Sequence, residues 1–211
     1  MNRAIRALGA AGLCIAAACS SVRYGDPTDE ETVNIGYGVT DRQRIVEEMV
    51  GSLKESPALS YFDHSGKGED KRVIIYVGGV ENRTSEHIDT TGITDVIREQ
   101  LLESGRFRFP AGELGQNEIG EQVRFQQGSG RVDPAQAKEF GKQIGADMIL
   151  YGVMRSIEKD RGRSLESGGV KTERVDYQFV LNAVNIETGE IVWSKSKDLT
   201  KTAKTGLFGS T

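Results

Sequence analysis

Residues 72–80 (RVIIYVGGV) constrain the fold more than any other stretch, because they form a near-continuous apolar run of strand length. A strand that is apolar on both faces has to be covered on both faces, so this run reads as a buried central strand. Gly78 and Gly79 loosen its end.

Helical patterns stand on either side. Thr40 with Gln43 forms a capping-box pattern. Ile45, Met49 and Leu53 then share one face with Val46 and Val50 beside them, and Pro57 closes the helix. After the strand, the polar loop Glu81–His87 leads to a second helix capped by Asp89 or Thr90. Its apolar positions are Ile93, Val96, Ile97, Leu101 and Leu102, with Gly105 as its C′ residue. A short strand at 106–110 follows, then a weakly amphipathic helix at 113–126 through Leu114, Ile119 and Val123, then a loop at 127–130. Asp133-Pro134 opens another helix, with Ala137, Phe140 and Ile144 on its buried face. Residues 146–157 read as a strand and the charged, glycine-rich stretch 158–173 as an exposed excursion. Two long strands close the chain, 174–186 and 190–199, joined by a hairpin turn at Glu187-Thr188-Gly189. The order α, β, α, β, α, α, β, β, β predicts an α/β (α+β) domain, one mixed sheet packed against helices and ending in a long antiparallel hairpin.

The N-terminus reads as an export signal. Arg3 and Arg6 precede the small and apolar run 7–18, which ends in Ala16-Ala17-Ala18. That run is too short to span a bilayer, which takes roughly 20 apolar residues. The segment Ala16–Cys19 resembles the lipobox of bacterial lipoproteins, with alanine in the usual leucine position, and this marks Cys19 for lipidation. An ordinary secreted protein cut after Ala18 is the alternative reading. Three acyl chains would anchor the protein firmly, at about 0.8 kcal/mol per buried CH₂. Serine at position 20 resembles an outer-membrane address. Residues 1–18 are thus the signal, 19–39 a tether from the lipidated cysteine, and 40–211 the globular domain. Removing Arg3 and Arg6 takes the formal charge from −4 to about −6, which gives no support for nucleic-acid binding. Cys19 is then the only cysteine left, so the fold is held by its core and not by disulfides.

Catalytic patterns are missing. The two histidines, His64 and His87, have no metal-ligand spacing, and there is no H-E-x-x-H, G-x-S-x-G, Walker or G-x-G-x-x-G motif. No catalytic residue, metal, cofactor or small-molecule substrate is expected. Asn82-Arg83-Thr84, with His87, is the candidate for partner binding, since an arginine fork leaves a central strand there. The alternative is that Asn82 and Thr84 only hold the loop. Trp193 reads either as core or as a partner anchor.

In this order the pieces resemble the LpoB family of outer-membrane lipoproteins. The resemblance lies in 73–77 running into Asn82-Arg83-Thr84 and Ile88-Asp89-Thr90, in LLESGRF (101–107), in GADMILY (145–151) and in ETGEIVWS (187–194). It implies a fold like the N-terminal domain of TolB and a protein that is not an enzyme. It also implies a lipid-anchored activator in the outer membrane, facing the periplasm, that docks on a class A penicillin-binding protein and stimulates this peptidoglycan synthase. The tether is shorter than in enteric members, and the 158–173 stretch has no obvious counterpart in the compact ones. An accessory lipoprotein of a CsgG-like outer-membrane secretion system is the competing reading.

Overall fold

The computed structural model describes residues 25–26, 28–31, 34–65, 67–138, 145–164, 168–206 and 209–210. Cys19 and the buried-face positions Phe140 and Ile144 lie outside the described residues. In chain order the elements are α1 (Val39–Lys54), a 3-10 turn (Pro57–Tyr61), β1 (Val73–Arg83), α2 (Thr90–Glu103), β2 (Phe107–Arg108) and α3 (Glu113–Gly128). Three long strands follow, β3 (Met148–Arg161), β4 (Lys171–Asn185) and β5 (Ile191–Gly206), and then the two-residue β6 (Gly209–Ser210). They form one mixed sheet in the order β2-β1-β3-β4-β5-β6. β1 runs parallel to β2 and β3, and the remaining pairs are antiparallel.

The apolar run lands in the centre of the sheet, as its composition requires. Ile75 faces α1 and α2 in the main core, whereas Ile74 points to the opposite face and is also buried. A depression beside Ile74 is lined by Phe109, Pro110 and Ile119 of the β2–α3 region. The main core joins Ile45, Met49 and Leu53 of α1 and Ile93, Ile97 and Leu101 of α2 to Met148, Leu150 and Met154 of β3. β4 contributes Tyr177, Phe179, Leu181 and Ala183, at strict period two. Trp193 is core, with its indole N–H donating to Ser52 Oγ at 3.1 Å. Gly189 takes φ +74° in the β4–β5 turn, where a side chain would be strained.

Several boundaries differ from the sequence reading. α1 is capped two residues earlier than Thr40, by Gly38, whose N–H donates to Asp41 Oδ2 at 2.9 Å. Thr40 instead accepts from the Glu31 N–H at 2.8 Å. Gly78-Gly79 does not end β1 but interrupts its register with β3, where a Cβ at Gly78 would come 2.8 Å from the Leu150 carbonyl oxygen. β1 then resumes through Glu81, Asn82 and Arg83, which the sequence placed in a loop. The two ends of the 158–173 stretch are strand and not part of an excursion: β3 runs on to Arg161 and β4 begins at Lys171, extending their pairing beyond the helices. Asp133 accepts the turn N–H groups of Ala135, Gln136 and Ala137, so residues 134–136 form a turn and 134–138 are not the start of the expected helix, while its remaining positions, 139–144, lie outside the described residues.

One polar clamp ties the strand starts together. Lys67 Nζ donates to Asp147 Oδ2 at 2.5 Å, and that oxygen also accepts the Ile74 N–H at 2.7 Å. The Asp147 backbone then joins Ile74 and Ile186 on either side. Removing one member of such a pair would leave the other's polar group buried with fewer partners.

Candidate partner-binding site

The loop after β1 is built by its own side chains. Asn82 Nδ2 donates to the carbonyls of Glu86 at 2.9 Å and Ile88 at 3.4 Å, while its Oδ1 accepts the Thr84 N–H at 3.0 Å. Thr84 Oγ1 lies 2.8 Å from that same Oδ1 and accepts the Glu86 N–H at 3.2 Å. Asn82 and Thr84 therefore shape the loop and leave few polar atoms for a partner. Arg83 and His87 remain exposed.

The loop also receives the N-terminal segment. Glu86 accepts the Tyr37 N–H at 3.0 Å through one carboxylate oxygen and the Tyr177 hydroxyl through the other. Tyr37 stacks edge-on against Tyr177 with ring centroids 6.0 Å apart. Lys201 donates to the Gly36 carbonyl at 2.6 Å and to Asp41 at 2.9 Å. Ile35 and Tyr37 pack against the core, so the folded body begins on the N-terminal side of Thr40, where the sequence placed its start. Burial raises the phenol pKa of Tyr37, and Asp41 nearby adds to it. Burial, with the bond to Glu86, does the same for Tyr177.

The four candidate residues do not form one site. His87 borders a depression of about 270 Å³ with Tyr37, Gly38, Arg42 and Ile88. Arg83 belongs to a separate groove of about 530 Å³, with Arg155, Ile157, Asp176 and Gln178 among its lining. Arg83 Nη2 holds Glu81 at 2.7 Å, which keeps that carboxyl below the usual carboxylate range. Arg174 does likewise for Asp176, helped by the Thr200 hydroxyl. Arg155 and Ile157 were missed from sequence. Their signal is the alternation Arg155, Ile157, Lys159, Arg161, legible only once 158–161 is read as strand.

Among the described residues, the geometry offers grooves lined by charged side chains. Among the described residues, no group of three or more His, Cys, Asp or Glu could hold a metal ion. Among them too, no helix is long and apolar enough to cross a membrane.

Comparison with known proteins gives a consistent result. The family model "Peptidoglycan-synthase activator LpoB" matches residues 41–199, from the third residue of α1 into β5. The penicillin-binding protein activator LpoB of Enterobacter sp. (strain 638) is 21% identical over 176 residues, covering 82% of this chain and 67% of that protein. Among solved structures, the LpoB C-terminal domain from Escherichia coli is 17% identical, covers 76% of this chain and 99% of that one, and has a TM-score of 0.39. The corresponding domain from Salmonella enterica is 16% identical, covers 75% and 98%, and has a TM-score of 0.38. With the family model spanning the folded body from α1 to β5, the chain belongs to the LpoB family of peptidoglycan-synthase activators.

Proposed function

We propose that the protein is an outer-membrane lipoprotein, anchored through Cys19, that binds a class A penicillin-binding protein in the periplasm and stimulates its synthesis of peptidoglycan. The observation that carries this reading is the family match over 41–199, which takes in nearly the whole folded body. A protein of this kind works by binding. It accelerates the synthase only if it binds the active conformation more tightly than the inactive one. Anchoring raises its effective concentration within the reach of the tether.

The docked N-terminal segment shortens that reach. The Asp29 carbonyl already accepts from Thr40 Oγ1 at 3.5 Å, and Glu30 pairs with Arg44 at 2.8 Å. About ten residues then separate Cys19 from the body, and at roughly 3.5 Å each they span about 35 Å at most. A synthase served by this activator must therefore extend towards the outer membrane, or the periplasm must be thin.

The test is a pull-down from detergent-solubilised envelopes, followed by a glycan polymerisation assay with purified residues 20–211. Recovery of a bifunctional penicillin-binding protein and faster polymerisation are expected. Ring oligomers recovered without any synthase would overturn the reading in favour of a secretion accessory.

A further inference from the structure

Cross-strand partners lie on the same face of a sheet, so the register sorts the side chains of the protruding strand ends. Arg83 of β1 pairs with Arg155 of β3. Along β3, Arg155, Ile157, Lys159 and Arg161 oppose Gln178, Asp176, Arg174 and Thr172 of β4. Those in turn oppose Asp198, Thr200, Thr202 and Lys204 of β5. One face therefore gathers Arg83, Arg155, Lys159, Arg161, Arg174 and Lys204, every one of them exposed. Only Glu81, Asp176 and Asp198 stand against them on that face. The reverse face of the same strand ends carries Glu158, Asp160 and Glu173 beside Lys171 and Lys201.

The charge is not fully neutralised in place. Glu81 pairs with Arg83 and Asp176 with Arg174. Arg155, Arg161 and Lys204 hold no ion pair among the described residues. The whole chain has a formal charge of −4, so a net-positive face runs against its composition. At its centre Ile157 is 60% exposed, and the groove of about 530 Å³ joins it to Arg83 and Arg155. The same face continues along β3 and β1 through Val153, Tyr151 and Tyr76, and both tyrosines are exposed.

We infer that this basic face is the docking surface for a protein partner that presents carboxylates around an apolar side chain. Resting on the function proposed above, that partner is the synthase itself. Two features select a protein over a lipid surface or a polyanionic glycan. Arginines around an exposed isoleucine, with tyrosines alongside, match the composition of protein interfaces. A groove large enough for a side chain gives binding energy that a headgroup or sugar anion would not use. The unpaired cations would speed encounter and fix orientation, and Ile157 with its groove would slow release.

The test compares residues 20–211 with a triple variant, Arg155→Glu, Arg161→Glu and Lys204→Glu, against each class A penicillin-binding protein of the same cell. These side chains are exposed and lack ion pairs, so the variant is expected to melt like the parent. Asp160→Lys on the reverse face is the control. The parent should bind one synthase with affinity that falls as salt rises. The triple variant should lose on the order of tenfold to a hundredfold, with a weaker salt dependence, and Asp160→Lys should not. Equal affinity of parent and triple variant would overturn the docking face while leaving the proposed function standing. Failure of the parent to bind any synthase would overturn both. Vesicles of phosphatidylglycerol are a further probe: charge-dependent binding to them, with synthase affinity unchanged in the triple variant, would assign the face to a lipid surface instead.

Discussion

β3, β4 and β5 are each one continuous strand, yet their two halves live under different rules. Where α1 and α2 cover them, alternate residues vanish from solvent, and Tyr177, Phe179, Leu181 and Ala183 are at most 1% exposed. Past the helices the same strands carry charge on both faces, and Ile157 stands 60% exposed. The covered half makes the hydrophobic contribution to stability, because that scales with apolar area removed from water. The protruding half has little to bury and is free to display charge. The buried core and the proposed docking face are thus separated along the strands rather than between domains.

That division predicts a graded set of effects. Phe179→Ala, at a site with no exposure, should cost about 3–5 kcal/mol in denaturant melts. Ile157→Ala, only a few residues from the covered region, should stay within about 0.5 kcal/mol. Comparable losses at both positions would break the division. Next in size is the clamp at the strand starts. Asp147→Ala would strand Lys67, whose side chain is 4% exposed, and should cost about 3 kcal/mol. Lys67→Met in the same background should recover part of that loss, since it removes the orphaned charge.

The smallest effect is at Tyr37, which links the N-terminal segment to the body. Its hydroxyl is buried without a hydrogen-bond partner among the described residues. Tyr37→Phe should therefore leave stability unchanged or raise it by about 1 kcal/mol at neutral pH. Alkali should separate the two forms further. Both Tyr37 and Tyr177 have phenol pKa values raised in the folded state, so folding holds protons that the unfolded chain releases. Their contribution is complete below the ordinary phenol pKa near 10 and is lost as pH rises above it. Melting temperature measured against pH should fall more gently there in Tyr37→Phe than in the parent, and an identical slope would contradict the assignment.

What was legible in the sequence follows the same division. The covered halves carry a hydrophobic period, so the cores of β1, β3, β4 and β5 and the apolar stripes of α1 and α2 could be read directly. The protruding ends could not. A strand wet on both faces has no apolar alternation, so residues 158–161 and 171–173 looked like a charged excursion. Glu81-Asn82-Arg83 was misread for the same reason, since Asn82 turns inward to hold the loop while Glu81 and Arg83 face out. Arg83 stood out as a candidate because arginine beside a central strand is conspicuous. Its neighbours Arg155 and Arg161 were not, because their shared face exists only in the cross-strand register. The capping-box reading at Thr40 failed because Gly38 caps through its backbone and the borrowed carboxylate of Asp41, a pattern with no side chain to recognise at the cap.

The most direct measurement is photo-crosslinking in cells, with a crosslinking amino acid placed at position 157 on the protruding face or at position 102 on α2. Both sites are open to solvent, at 60% and 54% exposure, so the difference between them reports docking and not access. A covalent adduct with a class A penicillin-binding protein is expected from position 157 and none from position 102. An adduct from 102 alone would contradict the proposed docking face.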